Sequence, residues 1–138
     1  MAKSIRNAMT SNPCSIDAGK SVAYAAKMMR NEDVGIAPIV EGDRLVGVLT
    51  DRDIAVRVVA EGLDPERVKV FEVASRDVVT LDPGQDLDEA LRLMARHQVR
   101  RLPVVEEDGR LVGVVAQADV AEAADERRTG EVVEQISR

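Results

Sequence analysis

Arg44-Leu45-Val46-Gly47-Val48 and Arg110-Leu111-Val112-Gly113-Val114 are the same five residues written twice, 66 positions apart. Working outward from them, the likeness continues in both directions. Downstream, at the same shift, Asp53 falls on Asp119 and Ala55 on Ala121. Upstream one residue is inserted, where Glu41-Gly42-Asp43 faces Glu106-Glu107-Asp108-Gly109, and the shift becomes 65. Pro38 then falls on Pro103, Val34 on Val99, Met29 on Met94, Ala25 on Ala90, Gly19 on Gly84, Asp17 on Asp82 and Ile5 on Val70. A register this steady means an internal duplication, and a duplication governs the fold before any other feature does.

Each repeat reads the same way. A short helical turn comes first, at residues 4–9 and again at 70–74. An extended piece follows, then an amphipathic helix. Its apolar positions are Val22, Ala25, Ala26 and Met29 in the first copy and Leu87, Ala90, Leu91 and Met94 in the second. That is the i, i+3, i+4, i+7 stripe of a helix with one buried face. Asp86 with Glu89 adds a cap pattern at the start of the second. Two strand-like runs flank an acidic, Gly-containing turn, as in a hairpin: residues 36–40 and 45–49, then 102–105 and 111–115. A further helix starts near Asp51 and near Gln117, and Gly62 reads as the stop of the first of these. The expected class is α/β (α+β), two β-α-β-β-α repeats packed sheet to sheet with pseudo-twofold symmetry. The boundaries are repeat 1 at residues 4–62, a linker at 63–69, repeat 2 at 70–125 and a charged C-terminal tail at 126–138. Such a duplication predicts a cleft between the copies, a preferred place for a ligand.

Composition narrows the functions. The 138 residues carry a net charge of −6 and almost no aromatics, Tyr24 and Phe71 alone. Acidity disfavours phosphate-neutralising contact with duplexes, and there is no stacking platform for single strands. Nucleic acid is therefore not the expected partner. No apolar run is long enough to span a bilayer and residues 1–8 lack a signal-peptide core, so a cytoplasmic protein without a membrane partner is expected. The lone Cys14 excludes an intrachain disulfide. With no basic neighbour in sequence it reads as a buried, inert thiol, an intermolecular disulfide being the alternative. His97 is the single histidine, near a helix end where a cation is favoured; no metal site is expected. No nucleophile–base pair, phosphate loop or catalytic carboxylate motif is present, so the chain is not read as an enzyme.

The runs Val34-Gly35-Ile36-Ala37-Pro38-Ile39-Val40 and Val99-Arg100-Arg101-Leu102-Pro103-Val104-Val105 carry a family resemblance. So do Leu45-Val46-Gly47-Val48-Leu49-Thr50-Asp51-Arg52-Asp53-Ile54 and Leu111-Val112-Gly113-Val114-Val115-Ala116-Gln117-Ala118-Asp119-Val120. Together they resemble the CBS domain family in its tandem form, the Bateman module, and in particular stand-alone bacterial CBS pairs. The resemblance implies a regulatory homodimer that binds an adenosyl ligand (AMP, ADP, ATP or a related compound) in the cleft and signals to an effector protein. It requires no cofactor. The alternative is a ligand-free interaction module acting through its dimer surface, to which Ala116, Pro13 and the lack of an attached effector domain point.

The resemblance places a first ligand site on Asn12, Cys14, Ala37, Pro38, Thr50, Arg52 and Asp53. It places a second, weaker one on Asp77, Val79, Arg101, Leu102, Pro103 and Asp119. Each residue has a plainer reading. Thr50-x-x-Asp53 is also an ordinary capping box; a helix start there would also favour a phosphate. Pro38 and Pro103 are also edge or bulge prolines. Arg52, Arg100 and Arg101 are also solvated surface cations. Ala116 stands where the first copy has its hydroxyl, so the second site is expected to be damaged. The helices after each hairpin carry apolar residues (Ile54, Val56, Val58 and Val59; Val120, Ala121 and Ala124) that suggest a dimer surface or could equally pack within the monomer.

Overall fold

The computed structural model describes residues 4–125 of the chain; the tail expected at 126–138 lies outside the described residues. Helix α1 (Ile5–Ala8), strands β1 (Thr10–Ser11) and β2 (Ile16–Asp17), helix α2 (Val22–Glu32) and strands β3 (Ile36–Glu41) and β4 (Arg44–Thr50) come first. Helix α3 (Asp51–Ile54) runs into a π-helical turn (Ala55–Val59). Helices α4 (Val70–Val73) and α5 (Leu87–His97), strands β5 (Arg101–Val105) and β6 (Leu111–Ala116) and a helix α6 over 117–125 complete it. There are two three-stranded sheets, ordered β2-β3-β4 and β1-β6-β5. Among the described residues no helix is long and apolar enough to cross a membrane.

The chain divides into two compact units. One, here the Thr50 unit, holds residues 14–78 with 109–111. The other, the Ala116 unit, holds the described residues before 14, then 79–108 and those from 112 onward. Their cores are separate and aliphatic. Ile16, Val22, Ala25, Met29, Ile39, Leu49, Val58 and Val70 fill the first. Ile5, Leu81, Leu87, Ala90, Met94, Val104, Val115 and Val120 fill the second. The helical stripes are narrower than expected: Ala26 is exposed and Leu91 half-buried, leaving i, i+3 and i+7 inside.

The spatial units do not follow the sequence repeats at their leading ends. Helix α4 opens the second repeat but docks on the first: the Val70 and Phe71 N–H groups donate to Lys20 O (2.9 Å) and Ala18 O (3.3 Å). Helix α1 opens the first repeat but docks on the second, with Ile5 and Arg6 N–H donating to Gln85 O and Pro83 O, both 3.0 Å. The exchange continues along the chain. Ser75 pairs with Val48 of β4 through two 2.9 Å bonds, and β1 pairs with β6 in the equivalent register, Thr10 with Val114 and Ser11 with Gly113.

This exchange explains the glycine of the repeated pentapeptide. A Cβ at Gly47 would stand 2.8 Å from the Ser75 carbonyl oxygen. At Gly113 it would meet the Met9 sulfur at 2.6 Å and Thr10 O at 3.0 Å. Only glycine lets the exchanged segment cross the strand at that height.

The stretch expected as a linker is packed. Val68 is buried, and Val68 O and Pro65 O accept from the Val22 and Ala23 N–H groups, each at 2.9 Å. The Ser21 hydroxyl accepts from Tyr24 N–H at 3.1 Å. The unsatisfied donors at the start of α2 are thus met largely by a segment some forty residues away in sequence. At α5 the cap is local: Asp86 accepts from Asp88 N–H at 2.7 Å.

Candidate functional site

Strand β4 ends at Thr50, whose backbone is extended, and α3 begins at Asp51. The two side chains expected to grip a ligand lock each other there. Asp53 N–H donates to Thr50 Oγ1 and Thr50 N–H donates to Asp53 Oδ2, both at 3.0 Å. The plainer reading, a reciprocal capping box, is therefore realised. It does not use up the chemistry. Thr50 Oγ1 acts there as an acceptor and keeps its own proton to donate, and a carboxylate has several lone pairs. The effect is to hold a hydroxyl and a carboxylate in fixed positions, partly exposed, at the end of a strand.

Two residues missed in the sequence extend this arrangement. The Arg57 guanidinium lies 3.9 Å from Asp53 Oδ1 and donates to the Val73 carbonyl at 2.9 Å, tying the π-helical turn to the end of α4. The i, i+4 spacing of Asp53 and Arg57 was the available signal. Asp51 accepts from Arg52 N–H through Oδ1 at 2.8 Å, and a Cβ at Gly35 would stand 3.1 Å from its Oδ2. Asp51 N–H donates to Gly35 O at 2.9 Å, which brings the start of β3 against the start of α3.

Ala37 and Pro38 follow on β3, both buried, paired with Leu49 and Val48. Pro38 is on the middle strand of its sheet rather than an edge. The parallel ladder to β2 begins one residue later, at Ile39, and the matching bridge in the other unit joins Leu81 to Val104, one residue past Pro103. Each proline stands where the neighbouring strand has not yet joined, so its missing N–H costs no ladder bond. A register shift of β3 against β4 follows directly, between Ile39 and Val40.

The Ala116 unit repeats the backbone and not the cap. Gln117 N–H donates to Arg100 O at 2.7 Å, the counterpart of Asp51 to Gly35. Ala116 offers no hydroxyl, and Asp119 is exposed without a hydrogen bond or ion pair among the described residues. Leu102 and Pro103 are buried, Arg101 and Val79 half-buried, Arg100 exposed.

The remaining expected residues divide between the units. Cys14 and Asp77 belong to the Thr50 unit, Asn12 and Val79 to the Ala116 unit. Asn12 is exposed in a left-handed conformation (φ 50°), and Asp77 and Arg52 are exposed. Cys14 is exposed too, correcting the buried thiol expected. It lies in the coil before β2, and Ile16 is the first side chain of that segment to enter the core. Of the apolar residues expected either at a dimer surface or packed within the monomer, several are packed inside. Val58, Val120 and Ala124 are fully buried in their own units, leaving Val56 at 50 % and Val59 at 67 % exposure.

Comparison with known proteins adds three relatives and a family model. The model described as CBS domain matches twice, at residues 2–60 and 70–126. YhcV of Bacillus subtilis, a CBS domain-containing protein, is 42 % identical over 86 % of this chain and 83 % of its own. Hypoxic response protein 1 of Mycobacterium tuberculosis is 38 % identical over 95 % of this chain and 92 % of its own. A crystal structure of that protein, with two coordinated zinc ions, superposes with a TM-score of 0.79 over 87 % of this chain and 98 % of its own. Among the described residues here, no three His, Cys, Asp or Glu side chains are grouped so as to hold a metal. The CBS domain pair of MJ0100, in complex with 5′-methylthioadenosine and S-adenosyl-L-methionine, is 25 % identical and superposes with a TM-score of 0.74 over 87 % of this chain and 98 % of its own.

Proposed function

The chain belongs to the CBS domain family as a tandem pair, a regulatory rather than a catalytic module, and from that premise we propose that it senses an adenosine-containing ligand through the Thr50 unit. The observation that carries this reading is the Thr50–Asp53 lock. The hydroxyl and carboxylate are already fixed, so little side-chain freedom is lost when they take up ribose hydroxyls or a 5′ oxygen. Gly35 O lies against the same helix start, and the β3 backbone from Ile36 to Pro38 runs beside the end of β4, where in this reading it faces an adenine edge. The adenosyl compounds bound by the MJ0100 pair support the ligand class. Asn12, Cys14, Ala37, Pro38 and Arg52 complete the first site in this reading, and Asp77, Val79, Arg101, Leu102, Pro103 and Asp119 a weaker second one.

Calorimetry with AMP, ADP, ATP, NADH and S-adenosylmethionine tests it, alongside melting curves. At least one adenosyl compound gives a saturable heat and raises the melting temperature, and Asp53→Ala weakens both. No heat and no melting shift with any of them overturns the reading.

A ligand-free interaction module is the second reading, favoured by Ala116 at the cap position of α6 and by Asp119, which has no partner among the described residues. In both, the protein acts in the cytoplasm as a homodimer read by an effector protein, with Val56 and Val59 in the dimer contact. Light scattering gives the mass: a dimer whose mass and stability ignore every nucleotide favours the second reading.

A further inference from the structure

The two carboxylate oxygens of Asp53 have different neighbours. Oδ2 accepts from Thr50 N–H at 3.0 Å and is spent in the cap. Oδ1 faces Arg57 Nε at 3.9 Å, near enough for charge attraction and too far for a hydrogen bond. Oδ1 is thus the oxygen left for a ribose hydroxyl, which there shares it with the guanidinium.

The same guanidinium has a second contact. Its Nη1 donates to Val73 O at 2.9 Å. Val73 is the last residue of α4, and its carbonyl is one of those that a helix end leaves without an internal donor. Helix α4 is a single turn, too short to hold itself. Its core residues Val70 and Val73 are buried, and just beyond it Ser75 makes two 2.9 Å bonds with Val48 of β4. The chain leaves the Thr50 unit after Val78. Arg57 therefore joins the carboxylate of the site to the exit segment of the unit. Its side chain is 50 % exposed and that of Asp53 14 %, so the arginine is the partner with room to move. In the Ala116 unit the link is missing, since Ala123 stands at the place of Arg57.

Resting on the adenosyl reading above, we propose that Arg57 couples occupancy of the Thr50 unit to the end of α4. A ribose at Asp53 Oδ1 competes with the guanidinium. Left with Val73 O alone, the half-exposed guanidinium yields to water, and residues 73–75 loosen. Coupling of this kind is reciprocal: whatever the ligand takes from the Arg57 contacts, those contacts take from ligand affinity. Ligand occupancy is thereby converted into freedom of the exit segment.

Amide exchange of the full chain, with and without saturating AMP, ADP, ATP, NADH and S-adenosylmethionine in turn, is the test, with calorimetry on the same samples. Ala74 N–H, bonded to Val70 O, and Ser75 N–H, bonded to Val48 O, are the reporters. Both exchange about threefold faster when a compound binds, while Met94 in the other core does not speed up. Arg57→Ala exchanges fast at Ala74 and Ser75 without ligand, shows no further rise with it, and binds it about threefold more tightly. Saturable heat with unchanged or slower exchange at both reporters, or equal or weaker binding by Arg57→Ala, overturns the coupling and leaves nucleoside binding intact. No heat with any of the five overturns the coupling and the adenosyl reading together.

Discussion

At the end of β4, Thr50 accepts from Asp53 N–H and Asp53 returns the bond; at the end of β6, Ala116 has nothing to offer and Asp119 lies exposed. The same contrast runs over the surface. Tyr24, Val56, Val59 and Phe71 are exposed apolar residues of the Thr50 unit, and their counterparts by register are Glu89, Glu122, Asp125 and Arg6. The cores have stayed alike, with aliphatic side chains at matching positions such as Val22 and Leu87 or Met29 and Met94. Packing therefore constrains the two copies together, whereas caps and surfaces have been free to diverge. The two copies of this CBS pair are thus unequal in their helix caps and in their exposed apolar residues.

The equivalence of the cores gives the largest expected effect. Gly47→Ala forces a Cβ against the Ser75 carbonyl, which accepts from Val48 N–H while Ser75 N–H donates to Val48 O, and costs about 2–3 kcal/mol. Gly113→Ala meets first the Met9 sulfur, the far part of a flexible side chain, and costs about 1 kcal/mol. Urea unfolding of the two variants measures both. The reverse order of cost would mean that the β1 crossing, not the Ser75 crossing, is the rigid one.

Exchanging the caps comes next. Thr50→Ala costs about 1 kcal/mol of stability, and it also removes the hydroxyl proposed to touch ligand. Ala116→Thr copies the first unit into the second and gains up to about 1 kcal/mol, because Asp119 already stands at the N3 position of α6. Thermal melts read the stability, and ligand titration of the gain-of-cap variant shows whether a second site appears. A loss of stability in Ala116→Thr would break the equivalence of the two helix starts.

Arg57 is a smaller contrast, since Ala123 stands at its counterpart. Arg57→Ala loses the bond to Val73 O and the pair with Asp53. The guanidinium side is half exposed and screened, so the cost is about 0.5–1 kcal/mol. Amide exchange at α4 reads it locally: faster exchange of Val73 and Ala74 is expected, and no change would show that α4 is held by its core residues alone.

Much of this was legible in the sequence for a physical reason. Helix and strand periods are local, and the duplication supplied each pattern twice, so α2, α5 and both strand pairs fall within a residue or two of their expected places. Thr50-x-x-Asp53 was legible as a pair with two readings, and the geometry realises the cap. What the sequence hid was long-range. Ile5 N–H can in principle meet Lys20 O or Gln85 O, and the two loops are alike by descent, so nothing local says that α1 docks on the second repeat and α4 on the first. Hence the purpose of Gly47 and Gly113 was hidden, and so was the packing of residues 65–68 within the stretch read as linking the repeats. For Pro38 the plainer reading left edge and bulge open, and the choice between them was hidden because the start of the parallel ladder and the register shift beside it are also long-range facts.

Cys14 is the smallest contrast, and it isolates composition from position. Its counterpart is Val79, which is half-buried; the thiol itself is exposed. Cysteine is buried often enough among proteins to suggest burial here. Position decides otherwise, because the chain enters the Thr50 unit at this residue and the core begins two residues later with Ile16. Cys14→Ser therefore changes stability by less than about 0.5 kcal/mol, and an aromatic disulfide reagent labels the native thiol at the rate of the same thiol in denaturant. If labelling of the native protein is slow, the segment before β2 is covered in solution. If it is fast and adding an adenosyl ligand then slows it, Cys14 lies beside the bound ligand, which is the role the first site assigns to it.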